Sequence, residues 1–161
     1  GGAIAVPGNA TPVAEFNVWA DPEAAAAVLG SGCPVTLVPL DVTEQVALPR
    51  SQLEAAARAG GTAAFLRDIA GCAMDFHRRE EGIDGLFLHD PLAVGAAVAP
   101  GLLRCTRLPL AVECRGEHTA GMTVADRRRR AAPGGVRVCL EVDAPAFLRL
   151  FAGRVLGGGR S

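Results

Sequence analysis

One stretch limits the possible folds more than any other: the apolar run CPVTLVPLDVT at residues 33–43. The run has the length of a strand and is rich in β-branched residues. A strand that is apolar on both of its faces is typical of a sheet that is covered on both sides. The run therefore predicts an α/β domain in which helices pack on both faces of a largely buried sheet.

Helices with marked ends surround this run. Residues 20–32 predict a helix that Asp21 caps, that has Pro22 at its first position and that Gly30 ends. Apolar side chains at helical spacing over residues 51–80, interrupted by two glycines at 60–61, predict two further helices. Strands and helices thus alternate along the first half of the chain.

The second half of the chain is richer in strands. Residues 84–100 predict a short strand, the polar pair His89 and Asp90, and a helix that starts at Pro91 and ends before Pro100. The segments LPLAVECRG, GMTVADRR and VRVCLEV predict three β segments. A final amphipathic helix follows, with Asp143 as its cap and with Phe147, Leu150, Phe151 and Val155 on its inward face.

Composition excludes several classes of protein. The chain has 161 residues, half of them hydrophobic, which is enough for one core. Its net charge of -1 does not favour a nucleic-acid partner, and we interpret the basic run 127–130 as an exposed loop. No apolar segment is long enough to cross a membrane and no signal peptide opens the chain. We therefore expect a soluble cytoplasmic protein with neither a nucleic-acid nor a membrane partner.

The five cysteines argue against disulfides and zinc. Their number is odd and they contain no CxxC pair. Most of them lie in apolar surroundings, as in VRVCLEV. Free thiols in a reducing cytoplasm fit this pattern best.

The first candidate site is near the start of the chain. The only two asparagines, Asn9 and Asn17, flank Glu15. On an extended segment Glu15 and Asn17 face the same side and Phe16 faces the other. A carboxylate beside an amide suits the hydroxyls of a sugar. The alternatives are that Asn9 bonds its own backbone in a turn and that Glu15 and Asn17 cap the following helix or face water.

The second candidate site follows the strand GLFL. His89 has a pKa range suited to protonating a leaving group, and Asp90 offers a hard oxygen ligand to a divalent cation such as calcium. Alternatively, Asp90 is only the N-cap of the next helix. His77 lies at a helix end, where a histidine commonly stabilises the negative terminus, and is the weaker candidate.

These residues carry a resemblance to a known family. GNATPVAEFNVWADPEAA, VTLVPLDVT, GLFLHDPLAVGAAVAP and GMTVADRRRR with VRVCLEVD resemble, in this order, segments of the inosine-uridine preferring nucleoside hydrolases. The resemblance covers nearly the whole chain and corresponds to the C-terminal half of that family's single domain. It implies an open mixed-sheet, Rossmann-like fold, with residues 1–156 as part of one domain and 157–161 as a flexible tail.

The resemblance also implies an activity and a set of site residues. The family hydrolyses the N-glycosidic bond of ribonucleosides with a bound calcium ion. By resemblance, Asn9 contacts the 5′-hydroxyl end of the ribose, Glu15 and Asn17 bind ribose hydroxyls, and Phe16 lies close by. Asp90 ligates calcium and contacts the diol, and His89 lies near the base as its proton donor. His77 corresponds more loosely to a residue that closes over the base.

One feature of the family is missing from the sequence. The DxDxxxDD cluster that supplies most of the calcium carboxylates and the general base does not occur in these 161 residues. We therefore expect a C-terminal portion of a nucleoside-salvage hydrolase that is inactive alone. The resemblance also implies that the complete protein is a dimer or tetramer. The alternatives are a non-catalytic ribose- or nucleoside-binding module, including a decayed fragment, and a scaffold in which these residues only cap helices and turns.

Overall fold

A computed structural model describes residues 1–128 and 134–157 of the chain. They divide into two compact units. The first unit consists of residues 1–43 and 103–142, and the second of residues 44–102 and the segment from 143 onward. The prediction of one domain over residues 1–156 stays a prediction, and residues 158–161 of the predicted tail lie outside the described residues.

The helices, in chain order, are α1 (Phe16–Ala20), α2 (Pro22–Gly30), α3 (Leu40–Thr43), α4 (Arg50–Ala57), α5 (Gly61–Glu80), α6 (His89–Val98) and α7 (Ala144–Phe151). The strands are β1 (Thr36–Leu37), β2 (Ala47–Pro49), β3 (Gly85–Phe87), β4 (Leu103–Leu108), β5 (Leu110–Val112), β6 (Thr123–Ala125) and β7 (Val136–Val142). A 3₁₀ turn at Pro100–Leu102 precedes β4, and a π-helical turn at Ala152–Leu156 follows α7.

The first unit is built around the central strand β7. On one side β7 pairs in parallel with β1, and on the other it pairs antiparallel with β4, which makes a three-stranded mixed sheet. The sequence of β7 explains this position, because Val136, Val138 and Cys139 are all buried. The mixed sheet with helices around it confirms the α/β class.

The segment GMTVAD joins the start of the chain in the same unit. Strands β5 and β6 form an antiparallel pair, and Met122 makes an isolated antiparallel bridge to Ala14, next to Glu15. Gly121 has a φ of 84°, and a Cβ atom there would lie 2.8 Å from the Cα of Trp19. Only glycine fits both the left-handed conformation and this close approach.

The second unit combines a small antiparallel pair with helices. Strand β2 pairs with β3, and the α4–α5 pair adjoins these strands. Helices α6 and α7 meet where Gly95 faces the ring of Phe147, which is 2% exposed. The predicted breaks at residues 60–61 and the predicted cap Asp143, which accepts from the N–H of Ala146 at 3.0 Å, are confirmed.

Several boundaries predicted from the sequence are wrong. The predicted β segments LPLAVECRG and GMTVADRR are longer than the strands β5 and β6 within them. In the run 33–43 only Thr36–Leu37 is strand, and α3 follows because Pro39 has no N–H for a ladder while its carbonyl accepts from the N–H of Thr43 at 3.1 Å. The helix expected to start at Pro91 starts at His89 instead. Strands β2 and β4 and helix α1 were not predicted from the sequence.

Three expectations from composition concern membrane-crossing helices, the cysteines and the basic run 127–130. No helix in the described ranges combines the length and the apolar character that a membrane crossing needs. All five cysteines are free. Arg127 and Arg128 are exposed, as expected for a loop, whereas Arg129 and Arg130 lie outside the described residues.

Candidate functional site

Glu15 is the best-connected polar side chain of the first unit. It is 4% exposed and is the N-cap of α1. Its Oε2 accepts from the N–H groups of Gly2 at 2.9 Å and Val18 at 3.2 Å. Its Oε1 accepts from the N–H of Asn17 at 3.0 Å and from Nδ2 of the same residue at 2.9 Å. An ionised carboxylate has about four acceptor positions, so all of them are used.

These hydrogen bonds set the charge of Glu15. Burial by itself raises the pKa of this carboxyl, but the hydrogen bonds from the N–H groups of Asn17, Gly2 and Val18 outweigh burial and lower it below the usual 4.5. Glu15 is therefore a buried, ionised acceptor at neutral pH.

Asn9 and Asn17 adjoin this carboxylate. Oδ1 of Asn9 accepts from the N–H of Phe16 at 2.9 Å, so Asn9 and Glu15 together bond the first three N–H groups of α1. Both asparagines are exposed, and Nδ2 of Asn9 and Oδ1 of Asn17 have no partner among the described residues. Each asparagine thus presents one free polar atom to a ligand.

The route by which Glu15 and Asn17 come together differs from the prediction. They do not lie on one extended segment, because the chain turns helical directly after Glu15. Glu15 does cap a helix, but this helix is α1 and not the one predicted for residues 20–32, whose cap is Asp21. The turn considered for Asn9 is wrong, since Asn9 bonds a residue seven positions away. Phe16 and Trp19 are 56% and 48% exposed, with ring centroids 6.3 Å apart, and form an aromatic surface on α1.

In the second unit His89 and Asp90 begin α6. The N-cap of this helix is Leu88, so the alternative that Asp90 is the cap is wrong. Asp90 lies in the first turn of α6, is exposed, and bonds no described residue. A carboxylate at this end of a helix is stabilised by the helix dipole and is open to a ligand.

His77 and His89 both contact the ring of Phe87. The centroid of the Phe87 ring is 5.7 Å from that of His77 and 5.6 Å from that of His89, and the Phe76 ring contacts His77 at 6.0 Å. Nδ1 of His77 is buried and has no hydrogen-bond partner among the described residues. The structure thus brings His77 and His89 into contact with the same aromatic ring, that of Phe87.

Comparison with known proteins relates this arrangement to a family. A sequence model of the family described as "Inosine-uridine preferring nucleoside hydrolase" matches residues 1–149. The chain belongs to this nucleoside hydrolase family. The resemblance inferred from the sequence is thereby confirmed.

Individual relatives agree with this family. Pyrimidine-specific ribonucleoside hydrolases RihA are 34% identical over 157 residues in Photobacterium profundum and 36% over 161 residues in Shewanella woodyi. These matches cover 96% and 94% of this chain but only 51% and 49% of the relatives. The chain spans about half the length of the curated relatives it matches.

Solved structures show the same fold. A purine-preferring ribonucleoside hydrolase from Gardnerella vaginalis superimposes with a TM-score of 0.88 at 34% identity, covering 98% of this chain and 50% of that one. A plant nucleoside hydrolase superimposes with a TM-score of 0.89 at 28% identity, covering 97% and 52%. The nucleoside hydrolase fold is thus shown for nearly the whole chain.

The described part of this chain does not by itself fit the calcium ion that the resemblance implies. It contains no group of three or more His, Cys, Asp or Glu side chains that could hold a metal. Calcium prefers about six to eight oxygen ligands, and Asp90, the predicted ligand, would supply one carboxylate.

Two further residues near the candidate sites were not identified from the sequence. Phe87 was assigned only to an apolar strand, and its contacts with His77 and His89 were not predicted. Thr123 follows GM in the segment GMTVAD and is 2% exposed. Its Oγ1 is buried without a partner among the described residues and would lie 3.0 Å from a Cβ atom added at Gly2. Because Gly2 and Thr123 are far apart in the sequence, no short-range pattern could indicate that they are close.

Proposed function

We propose that the protein containing this chain hydrolyses the N-glycosidic bond of ribonucleosides to a free base and ribose, and serves in nucleoside salvage. The observation that carries this proposal is the Glu15 cluster, a buried ionised carboxylate that holds one exposed amide and lies beside another. The names of the relatives support the reaction class.

In the first unit we propose a ribose-binding role. Nδ2 of Asn9 is free to donate and Oδ1 of Asn17 is free to accept, which matches sugar hydroxyls that both donate and accept. Glu15 can accept a hydrogen bond from a sugar hydroxyl only if that hydroxyl replaces the side-chain amide of Asn17. The hydrogen bonds to Oε2 are buried, whereas those to Oε1 are only partly buried. The exposed ring of Phe16 offers an apolar surface beside these groups.

In the second unit we propose that His89 acts on the leaving base. A protonated imidazole can donate its proton to a ring nitrogen of the base as the glycosidic bond breaks. The ring of Phe87 contacts that of His89, which would help to orient it, and His77 would provide a further ring that closes over the base. Asp90, exposed at the start of α6, would contact the ribose diol and supply one carboxylate to calcium.

We further propose that the complete protein works in the cytoplasm as a dimer or tetramer, and that this chain alone does not turn over nucleosides. The absence of a carboxylate cluster among the described residues supports the last point. Hydrolysis by water needs a base that activates the water, and we assign that role to none of the described side chains.

The test is to express the complete reading frame that encodes this chain and to measure release of free base from inosine and uridine with calcium present. We expect release, and we expect His89→Ala to lower kcat by about 10²–10⁴-fold, the usual contribution of a general acid. His118→Ala is the matched control, because this exposed histidine lies in a loop of the first unit. A folded product that releases base from no nucleoside contradicts the proposal.

A second candidate function is a non-catalytic ribose- or nucleoside-binding module. It is favoured by the combination of a well-built Glu15 cluster with the lack of a metal cluster in the described ranges. Isothermal titration calorimetry of the 161-residue chain with ribose and inosine tests this function. Binding that Asn17→Ala abolishes supports it, and a folded chain that binds neither ligand excludes it.

A further inference from the structure

Two cysteines face each other across the mixed sheet of the first unit. Cys105 on β4 and Cys139 on β7 are directly opposite in the antiparallel register, just after a bulge at Arg104 and Cys105. Their Sγ atoms are 2.7 Å apart. Directly opposite residues of antiparallel strands have Cα atoms about 4.5–5.5 Å apart, which lies inside the range of about 4.4–6.8 Å found in disulfides.

We propose that Cys105 and Cys139 form an oxidisable pair that closes to a cross-strand disulfide. The other three cysteines take no part, since Cys33 and Cys72 are exposed at separate places and Cys114 bonds the carbonyl of Val112. The proposal is independent of the hydrolase activity. It goes beyond the expectation of free thiols, which was based on spacing along the sequence and not on pairing across strands.

Exposure assigns different roles to the two thiols. Cys139 is fully buried, and burial, with a further contribution from the hydrogen bond to Cys105, raises the pKa of its thiol. Cys139 therefore stays protonated and is not accessible to an oxidant from solution. Cys105 is partly exposed, so it is the sulfur that an oxidant reaches first.

With hydrogen peroxide as the oxidant, the step proceeds in two stages. The thiolate of Cys105 attacks one peroxide oxygen, the O–O bond breaks, and Cys105 becomes a sulfenic acid while one water leaves. The Cys139 sulfur then attacks the sulfenic sulfur, and its proton leaves with the hydroxyl as a second water. Two thiols and one peroxide thus give one disulfide and two waters.

The test uses the 161-residue chain treated with hydrogen peroxide, blocked with N-ethylmaleimide and digested with trypsin. Arginines flank both cysteines, so the expected product is the tripeptide of residues 105–107 linked to the peptide of residues 138–149, lighter by two hydrogens than the separate peptides. Dithiothreitol should separate them. Blocked peptides that stay separate, under conditions that oxidise the exposed Cys33, would overturn the proposal.

A variant isolates the pair from the other thiols. In the chain with Cys33, Cys72 and Cys114 all replaced by serine, two titratable thiols should fall to none on oxidation while the protein stays monomeric on a non-reducing gel. In the same background Cys105→Ser should leave the Cys139 thiol unreacted. Oxidation of Cys105 to a sulfinic acid beside an intact Cys139 thiol, or cross-linked dimers, would contradict the pairing.

A thermal measurement covers the case in which Cys105→Ser fails to fold. In the triple-serine chain, a disulfide between residues 105 and 139 constrains the unfolded chain and should raise the Tm of the oxidised over the reduced form. In the same background Cys139→Ala should remove this difference. Equal Tm values for the oxidised and reduced triple-serine chain would count against the disulfide.

Discussion

Glu15 in the first unit and His77 in the second are both polar side chains with buried atoms, yet they are bonded very differently. The four acceptor positions of Glu15 all receive donors, three of them backbone N–H groups. Nδ1 of His77 has no partner among the described residues, and its ring is held by contacts with other rings. Asp90, in the same unit as His77, is exposed and bonds no described residue.

This difference separates two kinds of site residue. A buried group whose hydrogen bonds are complete stabilises the fold and fixes the groups around it. A buried polar atom without a partner costs stability, and a protein gains from keeping one only where a ligand bonds it. The first region should therefore lose stability when its polar group is removed, whereas the second should not.

The largest effect is expected for Glu15→Ala. The change leaves the N–H groups of Gly2, Asn17 and Val18 without an acceptor, two of them in buried positions. Lost hydrogen bonds to a charged group and unsatisfied donors together should lower the free energy of unfolding by about 3 kcal/mol. Urea denaturation measures this loss.

Two variants sharpen the result for Glu15. Asp143→Ala removes another carboxylate cap, the exposed one of α7, and should cost only about 1 kcal/mol in the free energy of unfolding.

The pH dependence of stability tests the charge of Glu15. Because the pKa of Glu15 is lowered on folding, the stabilisation by its charge is complete above pH 4.5 and is lost as the pH falls through the folded-state pKa. Glu15→Gln should remove this part of the acid sensitivity. If the unsubstituted chain and Glu15→Gln lose stability equally at low pH, Glu15 is not the group that causes this loss.

Gly95→Ala tests whether the second unit, where Nδ1 of His77 and the side chain of Asp90 bond no described residue, is closely packed at the contact of α6 with α7. A Cβ atom at Gly95 would lie 2.6 Å from the ring of Phe147, so the added methyl group should cost about 2 kcal/mol in thermal or urea unfolding. Gly71→Ala is the matched control, because this helical glycine of α5 has open space. It should stabilise by about 0.5–1 kcal/mol. If Gly95→Ala does not lower the free energy of unfolding, α6 and α7 are not closely packed.

His77→Phe should act in the opposite direction to Glu15→Ala. Phenylalanine keeps a ring against Phe76 and Phe87 and removes the unpartnered Nδ1. Removal of an unsatisfied buried atom is neutral or stabilising, here by up to about 1 kcal/mol in the free energy of unfolding. A loss of more than about 1 kcal/mol would show that Nδ1 has a partner and that the contrast with Glu15 does not hold.

The sequence predicted those features that depend on short-range chemistry. The cap at Asp21, the break at residues 60–61 and the cap at Asp143 follow from side chains that act within a few residues. Proximity across the chain was beyond such patterns. The bond from the N–H of Gly2 to Glu15, the bridge between Ala14 and Met122 and the pair of opposite cysteines each join residues far apart in sequence. The family resemblance identified site residues but not the bonds that hold them.

The smallest stability effect is expected for Asp90→Asn, and it separates the scaffold interpretation from the functional one. Leu88 is the N-cap of α6, and Asp90 interacts with the helix only through the dipole of its first turn. The loss of an exposed charge there should change the free energy of unfolding by no more than about 0.5 kcal/mol. If Asp90 contacts the ribose and a cation, the same variant of the complete protein should lose most of its kcat/KM for inosine. A variant that loses stability but keeps full activity would mean that Asp90 serves the fold alone.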